Sequence, residues 1–302
     1  MAGEAASFRL PEPVAEKARE FISGNLQPAV PRDAATVMLL RDGPAGRLEV
    51  YMLRRKPSMA FAPGAMVFPG GSVDVRDADK QVAWAGPDAA HWGEVFDAPP
   101  ELARALVCAA VRETFEESGV LLAGPSAGEV VADTTSDEWE ADRRALLDRS
   151  VSLAELLTRR GLVLRADLLR PWSRWITPVM EPRRFDTRFF AAALPAGQRT
   201  RDVGGEASAV AWIEPAEALA AGRRGELALM PPTMVSLTEL AACASPRDVL
   251  AGPREVAPLI PEIQLREGAV WLTVPGLREY PGTSGPAARG PAAGGPAAGT
   301  PA

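Results

Sequence analysis

The stretch "PPELARALVCAAVRETFEESGV", residues 99–120, constrains the fold more than any other part of the chain. A proline pair opens it, strong helix formers fill it, and Gly119 supplies the expected stop, so it reads as one long helix. At about 100° per residue, Glu113, Glu116 and Glu117 fall at i, i+3 and i+4 and converge on one face. Cys108, Val111 and Phe115 fall roughly opposite. Such a helix must bury its apolar side against another layer and leave a side made almost wholly of negative charge. Like-charged pairs at this spacing cost about 0.2–0.5 kcal/mol each, and the expectation is that nothing local offsets them. Converging carboxylates without basic partners suit a hard divalent cation, and Mg²⁺ takes oxygen ligands in octahedral geometry while keeping some waters. The plainer alternative, in an acidic chain, is a solvated acidic face.

What surrounds the helix is the make-up of an ordinary enzyme. At 302 residues and 47% hydrophobic content the chain can bury a full core. A net charge of −6 argues against a nucleic-acid surface, which needs clustered Lys and Arg. No apolar run is long enough to cross a bilayer, and the N-terminus lacks the basic-then-apolar order of a secretory signal. Cys108 and Cys243 make no disulfide framework or metal-binding pair and are expected to be buried small apolar residues. Neither a nucleic acid nor a membrane is expected as a partner, and oligomeric state, with a homodimer as one possibility, is left open. Cytoplasmic residence is therefore the default expectation, in keeping with the Ala, Arg, Gly and Pro bias, and the final "GTPA" is no Ser-Lys-Leu peroxisomal address.

Along the chain, residues 1–34 form an N-terminal segment with an opening helix carrying Val14, Ala18 and Phe21 as its apolar stripe. "ATVMLLRDG" and "LEVYMLRR" read as a hairpin, and "GAMVFPGG" as a third strand ending in a glycine turn. About 75–100 is irregular and reads as an inserted loop, with isolated Trp84, His91, Trp92 and Phe96. Two helical stretches are expected over about 136–161, strands at "WSRWITPVM", "RFDTRFFAAAL" and "AVAWIEP", and helices at "AEALAAG" and "PPTMVSLTELAACA". Residues 243–280 are a C-terminal extension with a hairpin around Gly268, and 281–302 are a Gly/Pro/Ala tail expected to be disordered.

The pattern "RETFEESGV" resembles the second half of the Nudix box, whose signature is Gly, five spacers, Glu, seven spacers, then Arg-Glu-apolar-x-Glu-Glu-x-Gly-apolar. Arg112, Glu113, Glu116, Glu117, Gly119 and Val120 stand at matching offsets, with Thr114 in the slot that is usually apolar. Upstream, "FPGGSVD" resembles the glycine turn that opens the box, with Gly71 first. Gly71 and Arg112 are 41 positions apart where the signature has 14, so 27 additional residues lie inside the box. Counting forward from Gly71 puts Asp77 at the early glutamate; counting back from Arg112 puts Arg104 there, and the sequence does not choose. A looped-out insert is compatible with the box, because closure entropy rises slowly with length. One branch of the family, the peroxisomal coenzyme A diphosphatases of animals and their bacterial relatives, carries such an insert together with "FPGG", a W-x-TP strand and an RFDT-x-FF strand. Trp175, Thr177 and Pro178, and residues 184–190, are similar to those elements, and the resemblance covers residues 35–242.

This resemblance implies an α/β fold of Nudix type: an α/β/α sandwich on a mixed β-sheet, with extra helices after the box. It implies hydrolysis of a nucleoside diphosphate linked to another group, with Mg²⁺, or Mn²⁺ in its place, as cofactor. Glu113, Glu116 and Glu117 become the metal ligands, with Glu116 and Glu117 also catalytic. Arg112 orients a glutamate by ion pairing, and Gly70 and Gly71 supply backbone groups to the substrate. The general base is either a helix glutamate or Glu206, in the glycine-rich loop before a strand. Arg184 and Arg54 are candidates for substrate phosphate, with Arg183 and Arg55 beside them, and Asp74 either supports metal or caps the turn. Trp172, Trp175, Phe185, Phe189 and Phe190 read as core aromatics before they read as base-stacking ones. Coenzyme A, ADP-ribose, NADH and nucleotide sugars are not told apart, and a non-catalytic nucleotide sensor is the alternative of a different class.

Overall fold

The computed structural model describes residues 6–10, 12–25, 27–44, 46–59, 62–201 and 207–274. Its centre is a nine-stranded mixed sheet. Strand Arg32–Asp42 runs antiparallel to Leu48–Arg55 and parallel to Phe185–Ala193, which pairs antiparallel with Arg170–Ile176. Ala207–Ile213 joins Leu48–Arg55, and two-residue strands at Ala228–Leu229 and Pro258–Leu259 close the ends. Successive side chains of a strand point to opposite faces, and here both faces are covered. Val37 and Leu39, Tyr51 and Leu53, Phe190 and Ala192 enter one apolar cluster. Their neighbours Met38, Leu40, Val50, Met52, Phe189 and Ala191 enter a second. That division is why these strands read as unbroken apolar runs.

The helices complete the sandwich. On the first face lie Ala89–Phe96, Pro100–Ser118, Asp137–Leu147 and Leu153–Arg160, which bury Trp92, Leu106, Phe115, Leu146 and Leu156. On the second lie Pro215–Arg223, Pro231–Ala241 and the short Pro246–Leu250, which bury Ala218, Leu237 and Val249. The α/β/α arrangement expected from the sequence is therefore the one observed. Among the described residues no helix is long and apolar enough to cross a membrane.

One expectation is corrected. The insert is folded: Val75–Ala78 is a 3₁₀ turn, Trp84–Ala85 pairs with Val163–Arg165, and Ala89–Phe96 is a helix capped by Asp88. Trp92 and Phe96 stack 5.8 Å apart, and both pack on Phe190 in the main core. The N-terminal segment contributes a strand in addition to the expected opening helix. Ala6–Arg9 pairs antiparallel with Ala269–Val274, the second strand of the expected C-terminal hairpin, and helix Glu12–Ile22 lies over this small sheet. Cys108 is buried as expected, and burial pushes its thiol up to about 12; Cys243 is only half-buried. The 281–302 tail lies outside the described residues.

Candidate active site

Helix Pro100–Ser118 carries the acidic face and ends where Gly119 adopts φ +75°, a conformation only glycine takes without strain. The expectation that nothing local offsets its glutamates is wrong. Arg112, four residues before Glu116, donates from Nη1 to Glu113 Oε1 at 2.7 Å and to Glu116 Oε1 at 3.2 Å. Its other edge is bidentate to Asp77, Nε to Oδ1 and Nη2 to Oδ2 at 3.0 Å each. Nη2 also donates to the Ser72 carbonyl. One guanidinium thus ties the helix to the 3₁₀ turn and to the glycine strand. Counting forward from Gly71, which gave Asp77 at the early position of the box, identifies the residue that Arg112 holds.

Electrostatics follow from burial. Asp77 is 3% exposed and Glu116 7%. Burial pushes the Glu113 carboxyl up to about 7 against the pull of Arg112, with Glu116 and Asp77 adding to the rise. Glu116 is raised for the same first reason. Burial lowers the Arg112 pKa, but its bond to Asp77 and the charges of Glu113, Asp77 and Glu116 outweigh it, so the guanidinium is held charged. Asp74 is the opposite case: Arg76 donates to it from its side chain and backbone and holds it at about 2. Asp74 caps the turn Val75–Ala78, with Asp77 returning the bond, which is the capping use of this residue.

The glycine turn touches the acidic helix. Strand Gly70–Ser72 pairs with Ala34–Thr36 of the central strand, and the Gly70 N–H donates to Glu117 Oε2 at 2.8 Å. A Cβ on Gly71 would stand 2.6 Å from Glu113 Cδ, and one on Gly70 2.5 Å from the Ala35 carbonyl oxygen. Bend and glutamates therefore meet, as the box requires. Among the described residues no three Asp, Glu, His or Cys side chains are grouped closely enough to enclose an ion as they stand. Arg112 Nη1 occupies the position between Glu113 and Glu116, and Glu117 turns to Gly70. The donor set is nonetheless what a hard cation takes: three carboxylates on one helix face beside a backbone bend, with Glu113 held at a burial cost that a cation would relieve.

A cleft of about 850 Å³ opens over these groups, lined by Gly70, Gly71, Asp74, Arg112, Glu113, Glu116 and Glu117. That volume suits a nucleotide-sized ligand. The arginines sort differently from the expectation. Arg184 does not line the cleft; its guanidinium donates to the carbonyls of Thr177 and Ala29 and braces the chain there. Arg54 donates to the Glu226 carbonyl and is likewise outside the lining. Their neighbours Arg183 and Arg55 are in it, with Arg149. Arg183 has no ion-pair or hydrogen-bond partner among the described residues. Arg149 is a non-glycine residue at φ +61°, its carbonyl held by Arg76 and its Nε 4.0 Å from Asp74 Oδ2. The sequence reading missed Arg149; no motif marks it. Trp175 and Phe189 are core residues that also line the cleft, as does the half-buried Phe185, whereas Trp172 and Phe190 are core alone. His91 is exposed on the insert helix. Glu206 lies outside the described residues.

A model of the NUDT19 Nudix domain matches residues 87–240, half of the chain. The chain belongs to the Nudix hydrolase family. The crystal structure of a Nudix hydrolase from Alicyclobacillus acidocaldarius superposes with a TM-score of 0.65 at 31% identity, covering 76% of this chain and 99% of that one. The acyl-coenzyme A diphosphatase NUDT19 of Gallus gallus is 29% identical over 267 residues, covering 72% of this chain and 70% of that protein. The Homo sapiens protein of the same name is 29% identical over 245 residues, covering 69% of this chain and 64% of that protein. For the Xenopus laevis protein the identity is 28% and the shares are 64% and 59%, so this Nudix hydrolase spans less than two thirds of some of its curated relatives.

Proposed function

We propose that this Nudix hydrolase is a divalent-metal-dependent diphosphatase whose substrate is coenzyme A or an acyl-coenzyme A. The observation that carries the reading is the Arg112 assembly, which gathers Asp77, Glu113 and Glu116 beside the Gly70–Gly71 bend within one cleft. The relatives' printed activity supports the choice of substrate. Glu113, Glu116 and Glu117 would hold Mg²⁺. Bound there, the ion would polarise the diphosphate and lower the pKa of a water.

The chain's own residues do the positioning. Arg112 restrains Glu113 and Glu116, and Asp77 restrains Arg112. Gly70 and Gly71 let the bend lie close against Ala35 and Glu113, since a Cβ on either would collide there, and so keep the bend beside the carboxylates that face the substrate. Arg149 and Arg183 supply positive charge at the cleft, which is how a chain of net charge −6 receives a polyanion. Glu116 or Glu117 accepts the proton of the attacking water. Water adds at one phosphorus, the bridging P–O bond breaks with its electron pair on the departing phosphate, and two phosphomonoesters leave. Displacement at phosphorus needs such charge placement more than covalent help.

The test is product analysis with Mg²⁺ on coenzyme A, an acyl-coenzyme A, ADP-ribose, NADH and a nucleotide sugar. Coenzyme A compounds giving adenosine 3′,5′-bisphosphate and a phosphopantetheine at the highest kcat/KM is the expected result. Preference for ADP-ribose or NADH would keep the chemistry and overturn the substrate; tight binding with no product from any of them would favour a nucleotide sensor.

A further inference from the structure

We infer that the apolar end of the cleft receives the acyl chain of an acylated substrate, so that the paired chain ends set acyl specificity; this rests on the diphosphatase reading above. The cleft that holds Glu113, Glu116 and Glu117 is also lined by Leu10, Val14, Met180 and Leu272. These four belong to the third apolar cluster, distinct from the two that cover the main sheet. It forms where Ala6–Arg9 pairs with Ala269–Val274 and helix Glu12–Ile22 packs on the pair. Leu10 itself is fixed by its N–H to the Val270 carbonyl at 2.9 Å. Leu10, Val14 and Leu272 lie outside residues 87–240, the segment matching the family domain. The reaction site comes from residues 70–117 and this wall from residues 10–14, 180 and 272, so two different parts of the chain share one cavity.

The chemistry of the wall selects its occupant. Leu10, Met180 and Leu272 are 8%, 2% and 4% exposed, and none of the four residues carries a polar side-chain group except the weakly accepting Met180 sulfur. A ribose or hexose placed there would leave hydroxyls unpaired, which is unfavourable. An alkyl chain loses nothing polar and gains contact with each carbon, up to roughly fourfold in affinity per methylene buried. Glu181 and Arg183, which also line the cleft, follow Met180 in the chain, so charge resumes within three residues of the apolar wall.

The test is steady-state kinetics of the full chain with Mg²⁺ on coenzyme A and on acetyl-, hexanoyl- and dodecanoyl-coenzyme A, for the wild type, Val14→Asp and Leu10→Ala. The wild type is expected to show kcat/KM rising with acyl length, and Val14→Asp to lower the dodecanoyl-to-coenzyme A ratio of kcat/KM by about 10-fold or more. Leu10→Ala, which keeps the wall apolar but shortens it, lowers that ratio less. A flat chain-length dependence in the wild type overturns the inference without need of a folded variant. Hydrolysis of all four compounds with ratios unchanged in folded Val14→Asp also overturns it while leaving the diphosphatase reading intact. No hydrolysis of any of the four removes that reading and the inference together.

Discussion

Asp77 and Arg112 show how much one buried pair controls. Arg112 meets three carboxylates and one carbonyl, with its side chain 11% and that of Asp77 2% exposed. Removing one partner of such a pair leaves a buried charge undercompensated, so Asp77→Ala is expected to lose about 3 kcal/mol of unfolding free energy in a denaturant titration. Activity falls with it, because Arg112 no longer fixes Glu113 and Glu116. The two glycines separate fold from function. Gly70→Ala meets the Ala35 backbone and should destabilise the fold, read as a lower denaturation midpoint. Gly71→Ala meets the movable end of Glu113, so it should fold nearly normally while Mg²⁺ affinity, measured by calorimetry, drops by about 10-fold. Equal effects of the two on stability would contradict this division. At this scale the sequence carried the identities of the acidic cluster and both glycines, because their offsets are local. It could not choose between Asp77 and Arg104, since the choice depends on where the insert folds back.

Elements were legible where their signals are local and hidden where the partner is distant. Helix Pro100–Ser118 announces itself by Pro at one end and Gly119 at the other. The insert helix Ala89–Phe96 is eight residues long and ends on Asp97 in the left-handed region at φ +48°, so the usual glycine stop is absent. Strand Ala6–Arg9 has its partner more than 250 positions away, which no short-range pattern records. The arginines miss for a related reason: neighbours on a strand face opposite ways, and without the sheet nothing says that Arg55, and not Arg54, faces the cleft. Between elements, Arg143 donates from Nη1 to the Glu116 carbonyl and from Nε and Nη2 to Glu140, joining helix Asp137–Leu147 to the acidic helix. Bonds from Arg143 first, then from Arg201 and Arg144, lower the Glu140 pKa from 4.5 to about 2. A depressed carboxylate stabilises the fold above its unfolded value and loses that contribution as pH falls through its folded one. Unfolding free energy should therefore decline between pH 4.5 and about 2, and less steeply in Glu140→Gln.

For the whole molecule, the two helical layers and the sheet bury the acidic centre, and that burial is the main reason the Glu113 carboxyl is raised. Glu113, raised to about 7, binds a proton in the folded state that the unfolded chain gives up near 4.5. Metal-free stability should then fall as pH rises from 4.5 to 7, and a divalent ion should take the place of that proton. Mg²⁺ is accordingly expected to raise Tm more at pH 8 than at pH 5 in a thermal-shift assay; an equal rise at both would contradict the role given to Glu113. The helix glutamates are central to the proposed reaction. The most direct measurement is turnover of a coenzyme A substrate with Mg²⁺ by Glu116→Gln and Glu117→Gln proteins whose circular dichroism matches the wild type. Each is expected to lose activity by about 10²-fold or more, and unchanged turnover in both would contradict the account.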